Sequence, residues 1–327
     1  MNLGSIQDFG YFGAGFIALL VGGQFTVRGA IGLGQILRFS PLFMGLIIVA
    51  FGATLPELVV TLTALGASHP DLAIGNLVGA NITNILLILG LAVLIHPIAV
   101  RKAVIFRDGL MMLLTTATVV WIAQNVEKFS TFQGVILVGA LVMFVLLSFV
   151  LEQLAETPAG ERLRELGASH RLPIAIIPLD LILIGIGVVL LHYGAKYVID
   201  GAAALSLRMH VSEAVIGLSL LALATSMPEL VATIGAAARQ RSDVLIATVL
   251  GSNIFNLLAV LGVAALVQPV PINPRIAHLD MWIMFASAAI LVPFMLSSWR
   301  LSRAEGLALV IGFFAYMAVL YTGMGIR

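Results

Sequence analysis

Cysteine is absent from the 327 residues, which excludes disulfides, thiolate metal sites and cysteine nucleophiles. Charge is nearly as scarce: 10% of the residues are Asp, Glu, Lys or Arg, where a soluble domain carries about a quarter. The formal net charge is +1 and no basic run with interleaved aromatics occurs, so nucleic acid is not an expected partner. Nor does the chain hold a phosphate-binding loop, a histidine pair at metal-ligand spacing or an acidic diphosphate motif. The opening MNLGSIQDFG lacks the basic stretch of a cleavable signal peptide, so the first apolar segment is expected to stay in the mature protein.

What the chain does have is apolar sequence. Hydrophobic residues make up 61% of it and mean hydropathy is +1.11. Apolar runs recur along its whole length, which reads as an all-α polytopic membrane protein rather than two soluble domains. Cuts at charges and turn residues give ten segments, near 11–36, 41–66, 72–95, 104–124, 131–151, 173–198, 212–238, 243–267, 279–297 and 304–324. Most have about 20 residues, enough to cross a hydrocarbon core about 30 Å thick. The first and sixth are longer and contain several glycines, which predicts strong tilt. One connection is long and polar, EQLAETPAGERLRELGASHR at 152–171, and reads as a solvated linker.

Lys and Arg set the orientation. With the N-terminus outside, the inner loops hold Arg28, Arg38, Arg101, Lys102, Arg107, Arg162, Arg164, Arg171, Arg239, Arg241, Arg300 and Arg303. Of the 17 basic residues the outer side keeps only Lys128, Lys196, Arg208, Arg275 and Arg327. The asymmetry predicts ten crossings of the plasma (inner) membrane, both termini outside and the central linker in the cytoplasm.

The chain also repeats itself. A shift of 172 residues, without a gap, lays Pro56 and Glu57 on Pro228 and Glu229. It also lays Gly45 on Gly217, Thr61 on Thr233 and Asp71 on Asp243, then Gly79, Asn81 and Asn84 on Gly251, Asn253 and Asn256. Gly90, Pro97 and Asp108 meet Gly262, Pro269 and Asp280. Shared apolar composition does not align prolines, carboxylates and asparagines together; this is a duplication. The predicted organisation is a first five-helix repeat at 1–151 with its motif at 45–90, a linker at 152–172, and a second five-helix repeat at 173–327 with its motif at 217–262. Five crossings per copy send the second copy through the membrane in the opposite sense, a 5+5 inverted-topology repeat. That architecture marks alternating-access transporters with ion sites near the midplane.

The motif FGATLPELVVTL at 51–62 places proline beside glutamate inside a spanning segment. Pro56 lacks an N–H and crowds the carbonyl of Gly52, and Pro228 does the same to Ala224, so both helices must kink or open. A freed carbonyl is tolerated at this depth only where it lines protein or a water-filled cavity. Hydroxyls stand beside each break, Thr54 in the first copy and Thr225 and Ser226 in the second. The following segment adds Asn81 and Asn84 in one copy and Ser252, Asn253 and Asn256 in the other. Positions 80 and 84, like 252 and 256, share a helix face. These are hard oxygen donors with two negative charges, a set suited to Ca²⁺ or smaller hard cations such as Na⁺. Two carboxylates neutralise one divalent ion or two monovalent ones, so loading either kind displaces the other. Gly75-x-x-x-Gly79 and Ala247-x-x-x-Gly251 are small-residue faces for close helix packing.

The blocks GATLPELVVTLTAL…GNLVGANITNILLILG and LATSMPELVATIGAA…TVLGSNIFNLLAVLG resemble the alpha-1 and alpha-2 repeats of the cation/calcium exchanger superfamily, in its prokaryotic sodium/calcium exchanger-like branch. The resemblance implies an antiporter whose transported ions are Ca²⁺ and Na⁺, with no cofactor. It implies that Glu57 and Glu229 bind calcium directly, joined by the hydroxyl position that is Thr225 in the second copy and Ala53 in the first. Sodium sites would draw on Thr54, Ser226, the serine that is Ser252 in the second copy and Ala80 in the first, and backbone carbonyls a turn before the prolines, at Ala50 and Ala222. Asn256 stands where such exchangers often carry aspartate. These departures weaken monovalent coordination, so protons are an alternative counter-ion, carried on a buried carboxylate.

An intramembrane carboxylate is a functional candidate by default; structural pairing is the bland alternative for Glu57 and Glu229, and helix–helix hydrogen bonding for the four asparagines. Asp108 and Asp280 are expected at helix starts, near the positive end of the dipole, and Lys196 and Asp200 as an interfacial ion pair. His192 is assigned to packing or to a pore side. A channel could use the same carboxylates but is ordinarily built from several subunits around a pore; here one chain carries both halves, so a monomer suffices and an oligomer is left open. An intramembrane enzyme has no support beyond two carboxylates.

Overall fold

The computed structural model describes residues 3–36, 52, 54–154 and 177–322. Sequence that is apolar on every side cannot leave backbone polar groups to lipid, so it closes its hydrogen bonds internally as helices. The described chain forms α1 (Leu3–Ile36), α2 (Leu55–Gly66), α3 (Pro70–Ile95), α4 (102–125), α5 (Thr131–Leu154), α6 (Ile177–Met209), α7 (Glu213–Thr225), α8 (Met227–Ala238), α9 (242–267), α10 (276–298) and α11 (Arg303–Thr322). Among the described residues eight helices are long and apolar enough to cross a membrane, and α7 with α8, bent by 48° where they meet, makes a ninth if taken as one span. Of the expected segment 41–66 only Gly52 and residues 54–66 are described; its remainder, with Ala50 and Ala53, lies outside the described residues, as does nearly all of the linker at 152–172.

The centre is built from α3 and α9, in which 78% of the apolar span is buried, against 22% in α5 and α6. A helix that is apolar all round can be buried in protein or face lipid equally well; packing decides, and α5 turns Phe132, Met143 and Leu147 outward. The sixth segment, expected to end near 198, continues to Met209. Lys196 and Asp200 suggest an end there, but both sit on the exposed face while Val198, Ile199, Ala202 and Leu205 stay buried on the other. His192, on that same outer face, is exposed beside Tyr193.

The tertiary contacts obey the 172-residue shift by exchange between the halves. α1 and α6 cross antiparallel on glycines: a Cβ on Gly15 would lie 2.7 Å from the Gly194 carbonyl oxygen, and one on Gly187 would lie 2.7 Å from that of Gly22. Gly15 with Gly194 becomes, on shifting, Gly187 with Gly22. Gly90 packs on Gly306 of α11, and its shifted equivalent Gly262 packs against α5 near Gly134. Two short antiparallel ribbons repeat the rule: β1 (Ile98–Ala99) pairs with β4 (Arg300–Leu301), and β2 (Lys128–Phe129) with β3 (Val270–Pro271). At these contacts each half completes the other.

Five π-helical turns interrupt the described helices, at Asn84–Leu89, Ile105–Gly109, Gly217–Leu221, Asn256–Val260 and Ile276–Asp280. Hydropathy carries no signal for them, and such turns frequently mark functional sites. Two correct the expectation for the aspartates. Asp108 and Asp280 do not start their helices but lie within π turns a full turn inside. Asp108 pairs with Arg107 at 2.7 Å, and Asp280 accepts a 3.0 Å hydrogen bond from the Tyr316 hydroxyl.

Candidate functional site

Both prolines occupy the second position of their helices, where a missing N–H costs nothing. The helical path breaks two residues earlier, at Thr54 (φ −92°, ψ 6°) and Ser226 (φ −80°, ψ 6°). Each of these residues restarts a helix: the Leu58 amide donates to the Thr54 carbonyl, and the Leu230 amide to that of Ser226, both at 3.0 Å. With no N–H at Pro228, the Ala224 carbonyl loses its helical donor, and Pro56 takes the same from Gly52. Glu57 and Glu229 follow in the first turn, where the helix dipole favours negative charge.

Both glutamates are buried, at 0% and 1% exposure. Neither carboxylate has a hydrogen-bond partner on either oxygen among the described residues. A buried carboxylate without a compensating charge or donor is strongly unfavourable. Four such oxygens in one interior call for a cation.

The neutral groups are disposed to match. α2 packs on α3 and on the π turn that starts at Asn256, while α8 packs on α9 and on the π turn that starts at Asn84. Asn81 gives its amide N–H to the Leu77 carbonyl and Asn253 to that of Val249, both at 2.8 Å. Asn84 donates to the Ser252 hydroxyl at 3.2 Å. With those donors spent on protein, the Oδ1 atoms of all three remain without partners among the described residues, as does the Ser226 hydroxyl. Asn256 is fully buried with neither side-chain atom satisfied there. Ser252 donates to the Thr248 carbonyl at 2.9 Å, and Thr54 and Thr225 are buried beside the breaks. The Ala222 carbonyl accepts the Ser226 N–H at 3.1 Å and faces the Thr225 hydroxyl at 3.3 Å. Two buried carboxylates, with amide, hydroxyl and backbone oxygens on the helices packed beside them, offer the donor types that hard cations take.

Three residues escaped the sequence reading. Thr61 and Thr233 lie one turn beyond Glu57 and Glu229, buried and with hydroxyls unpartnered among the described residues; their coincidence under the shift was the available signal. Asn76 is fully buried and accepts a 2.9 Å hydrogen bond from Thr225. It falls opposite Thr248, so a search for matched residues passes over it. The Gly75 and Gly79 face packs directly on Gly217 and Leu218 of α7, bringing α3 against the helix that precedes the second break.

A family model described as "Sodium/calcium exchanger protein" matches residues 8–150 and 179–322. The inner membrane protein YrbG of Escherichia coli is 34% identical over 290 residues, covering 86% of each chain. CaxA of Alkalimonas amylolytica is 32% identical over 312 residues, 94% of this chain and 97% of its own. Among solved structures, that of the sodium-calcium exchanger NCX_Mj soaked with 2.5 mM Na⁺ and 0.1 mM Ca²⁺ superposes with a TM-score of 0.63 at 27% identity, over 96% of this chain and 98% of that one.

Proposed function

The chain belongs to the sodium/calcium exchanger family, and on that premise we propose that it exchanges Ca²⁺ for Na⁺ by alternating access, with Glu57 and Glu229 holding the competing cations. The observation that carries this is the set of four carboxylate oxygens, buried and unpartnered among the described residues. Their two charges match one Ca²⁺ or two Na⁺. An interior that cannot hold uncompensated charge admits one load as the other leaves, which is antiport. Thr54, Thr225, Ser226, Ser252 and the four asparagines supply neutral oxygen, and Gly52, Ala224 and Ala222 supply backbone carbonyls, with Ala50 assigned the same part by its sequence position one turn and a half before Pro56. The same reading places the protein in the plasma (inner) membrane as a 5+5 inverted repeat, with both termini outside and the central linker in the cytoplasm.

Protons are the second reading for the driving ion, favoured by particular residues. Ala53 and Ala80 lack the hydroxyls that Thr225 and Ser252 provide in the other copy, and Asn256 carries no charge. Each change removes support for a monovalent metal cation and leaves both carboxylates able to take a proton.

The deciding experiment is calcium flux in liposomes under imposed Na⁺, Li⁺, K⁺ and pH gradients. Exchange predicts calcium movement only with a counter-gradient, and the gradient that works names the driving ion. Conduction that ignores every gradient, and that survives in Glu57→Gln and Glu229→Gln, ends the exchanger reading.

A further inference from the structure

Thr225 stands directly before the second break, and its hydroxyl carries a single proton with two acceptors in reach. One is Oδ1 of Asn76 at 2.9 Å; the other is the carbonyl of Ala222, three residues back in its own helix, at 3.3 Å. The shorter contact reaches across from α3, and both side chains are buried, at 0% for Asn76 and 1% for Thr225. A hydroxyl that has given its proton away offers only lone pairs to whatever lies on its other side. The Ala222 carbonyl already accepts the Ser226 amide at 3.1 Å and has one lone pair left. Were Asn76 missing, the Thr225 proton would turn to that carbonyl, occupying the remaining lone pair and swinging the hydroxyl oxygen with it. Thr225 and Ala222 are both among the proposed cation ligands.

We propose that Asn76 is a positioning residue: by taking the hydroxyl proton of Thr225 it leaves Thr225 Oγ1 and the Ala222 carbonyl to the transported cation, and so sets the affinity of the second-half wall of the site. The inference rests on the cation-site reading above and assigns a role to a residue that touches no ion itself. It is confined to one half. The residues that correspond to Thr225 and Asn76 under the shift are Ala53, which has no hydroxyl, and Thr248; Thr248 is half-buried and bonds back to the Val244 carbonyl at 2.9 Å. The pairing is therefore specific to the Thr225 wall.

The test is a double-mutant cycle on the purified full chain, with Ca²⁺ and Na⁺ binding measured by calorimetry and calcium flux measured in liposomes. Asn76→Leu keeps the shape and removes the acceptor; Thr225→Val removes the hydroxyl. Each alone should weaken Ca²⁺ binding about tenfold, and the double variant should be no weaker than the worse single one, because both remove the same oriented ligand. Asn76→Asp keeps an acceptor in place, so Thr225→Val must still weaken binding in that background. Effects that multiply to about a hundredfold in the double variant, wild-type affinity in Asn76→Leu, or a silent Thr225→Val beside Asn76→Asp overturn the role. If Asn76→Leu fails to fold, the aspartate arm decides alone. Coupled losses of binding in a protein whose calcium flux ignores every gradient would keep this inference and sink exchange. Multiplying effects in a working exchanger would do the reverse, and a wild type that binds neither cation defeats both.

Discussion

At the first helix break, Thr54, Pro56 and Glu57 are preceded by Ala53; at the second, Ser226, Pro228 and Glu229 are preceded by Thr225. The same contrast runs outward from the breaks. Ser252 faces Ala80 across the repeat, Asn76 faces Thr248, and Tyr316, which holds Asp280, faces Phe144. The prolines and glutamates of the breaks are duplicated without change, as are Asn81, Asn84 and Thr61, whereas the hydroxyls of Thr225 and Ser252 and the amide of Asn76 have no counterpart in the other copy. On the proposed 5+5 reading, the duplicated residues are those an inverted repeat must keep, a broken helix and a charge in each copy. Neutral oxygens tune which cation fits, by their number and placement, and the second half carries two hydroxyls, Thr225 and Ser252, where the first has Ala53 and Ala80. On the proposed reading, charge capacity is shared equally between the halves and selectivity is not.

The largest effect that separates capacity from selectivity should come from the carboxylates. Glu57→Gln or Glu229→Gln removes half the negative charge of the site, and Ca²⁺ affinity should fall by more than about a hundredfold, on the order of 3 kcal/mol or more, in either half alike. The fold should survive. In cation-free buffer the Gln variants should melt no lower than wild type, since a buried uncompensated charge has gone, while added Ca²⁺ should raise the melting temperature of wild type only. Unequal losses from the two substitutions would show that even charge is not shared.

Next in size is the crossing of α1 and α6. Gly22→Val and Gly194→Val, related by the shift, place methyl groups against backbone that a bare Cβ would already approach to 2.8 Å and 2.9 Å. Each should cost about 1–3 kcal/mol by overpacking, and the two should lower the melting temperature equally. A clear difference would show that the two sides of the crossing are not equivalent.

Tyr316→Phe makes the second half resemble the first at that position. It leaves the Asp280 carboxylate without its hydroxyl donor and should cost about 1–3 kcal/mol of stability with unchanged Ca²⁺ affinity, because Asp280 is not among the proposed ligands. The melting temperature, measured with and without Ca²⁺, checks both parts. The smallest change expected is a gain. Ala80→Ser gives the first half the hydroxyl that Ser252 supplies in the second, and should tighten Na⁺ binding by about fivefold, roughly 1 kcal/mol. Ala53→Thr should act in the same direction. Sodium dependence that does not move would locate the selectivity elsewhere.

Both breaks were legible because proline and glutamate are the residues an apolar span least easily holds, and because the shift matched them in pairs. The same matching hid Asn76, whose partner under the shift is a half-buried threonine bonded back to its own helix. Asp108 and Asp280 were misjudged for a related reason: charge suggests a helix end, but a π turn and, for Asp280, a tyrosine from another helix accommodate it within one. The end of α6 was set too early at Lys196 and Asp200, because charges on the outer face of a helix do not stop the apolar face behind them.

Composition and periodicity alone determined that this chain lives in a bilayer as helices, that it is a duplication, and that each copy is broken beside a carboxylate. Those properties depend on residue type and spacing, which a linear chain carries in full. Only tertiary structure decided that α3 and α9 form the centre, that each half completes the other through glycine crossings and paired ribbons, and that Asn76 reaches Thr225. These depend on which residues meet across 149 positions of chain, and local sequence does not encode that distance.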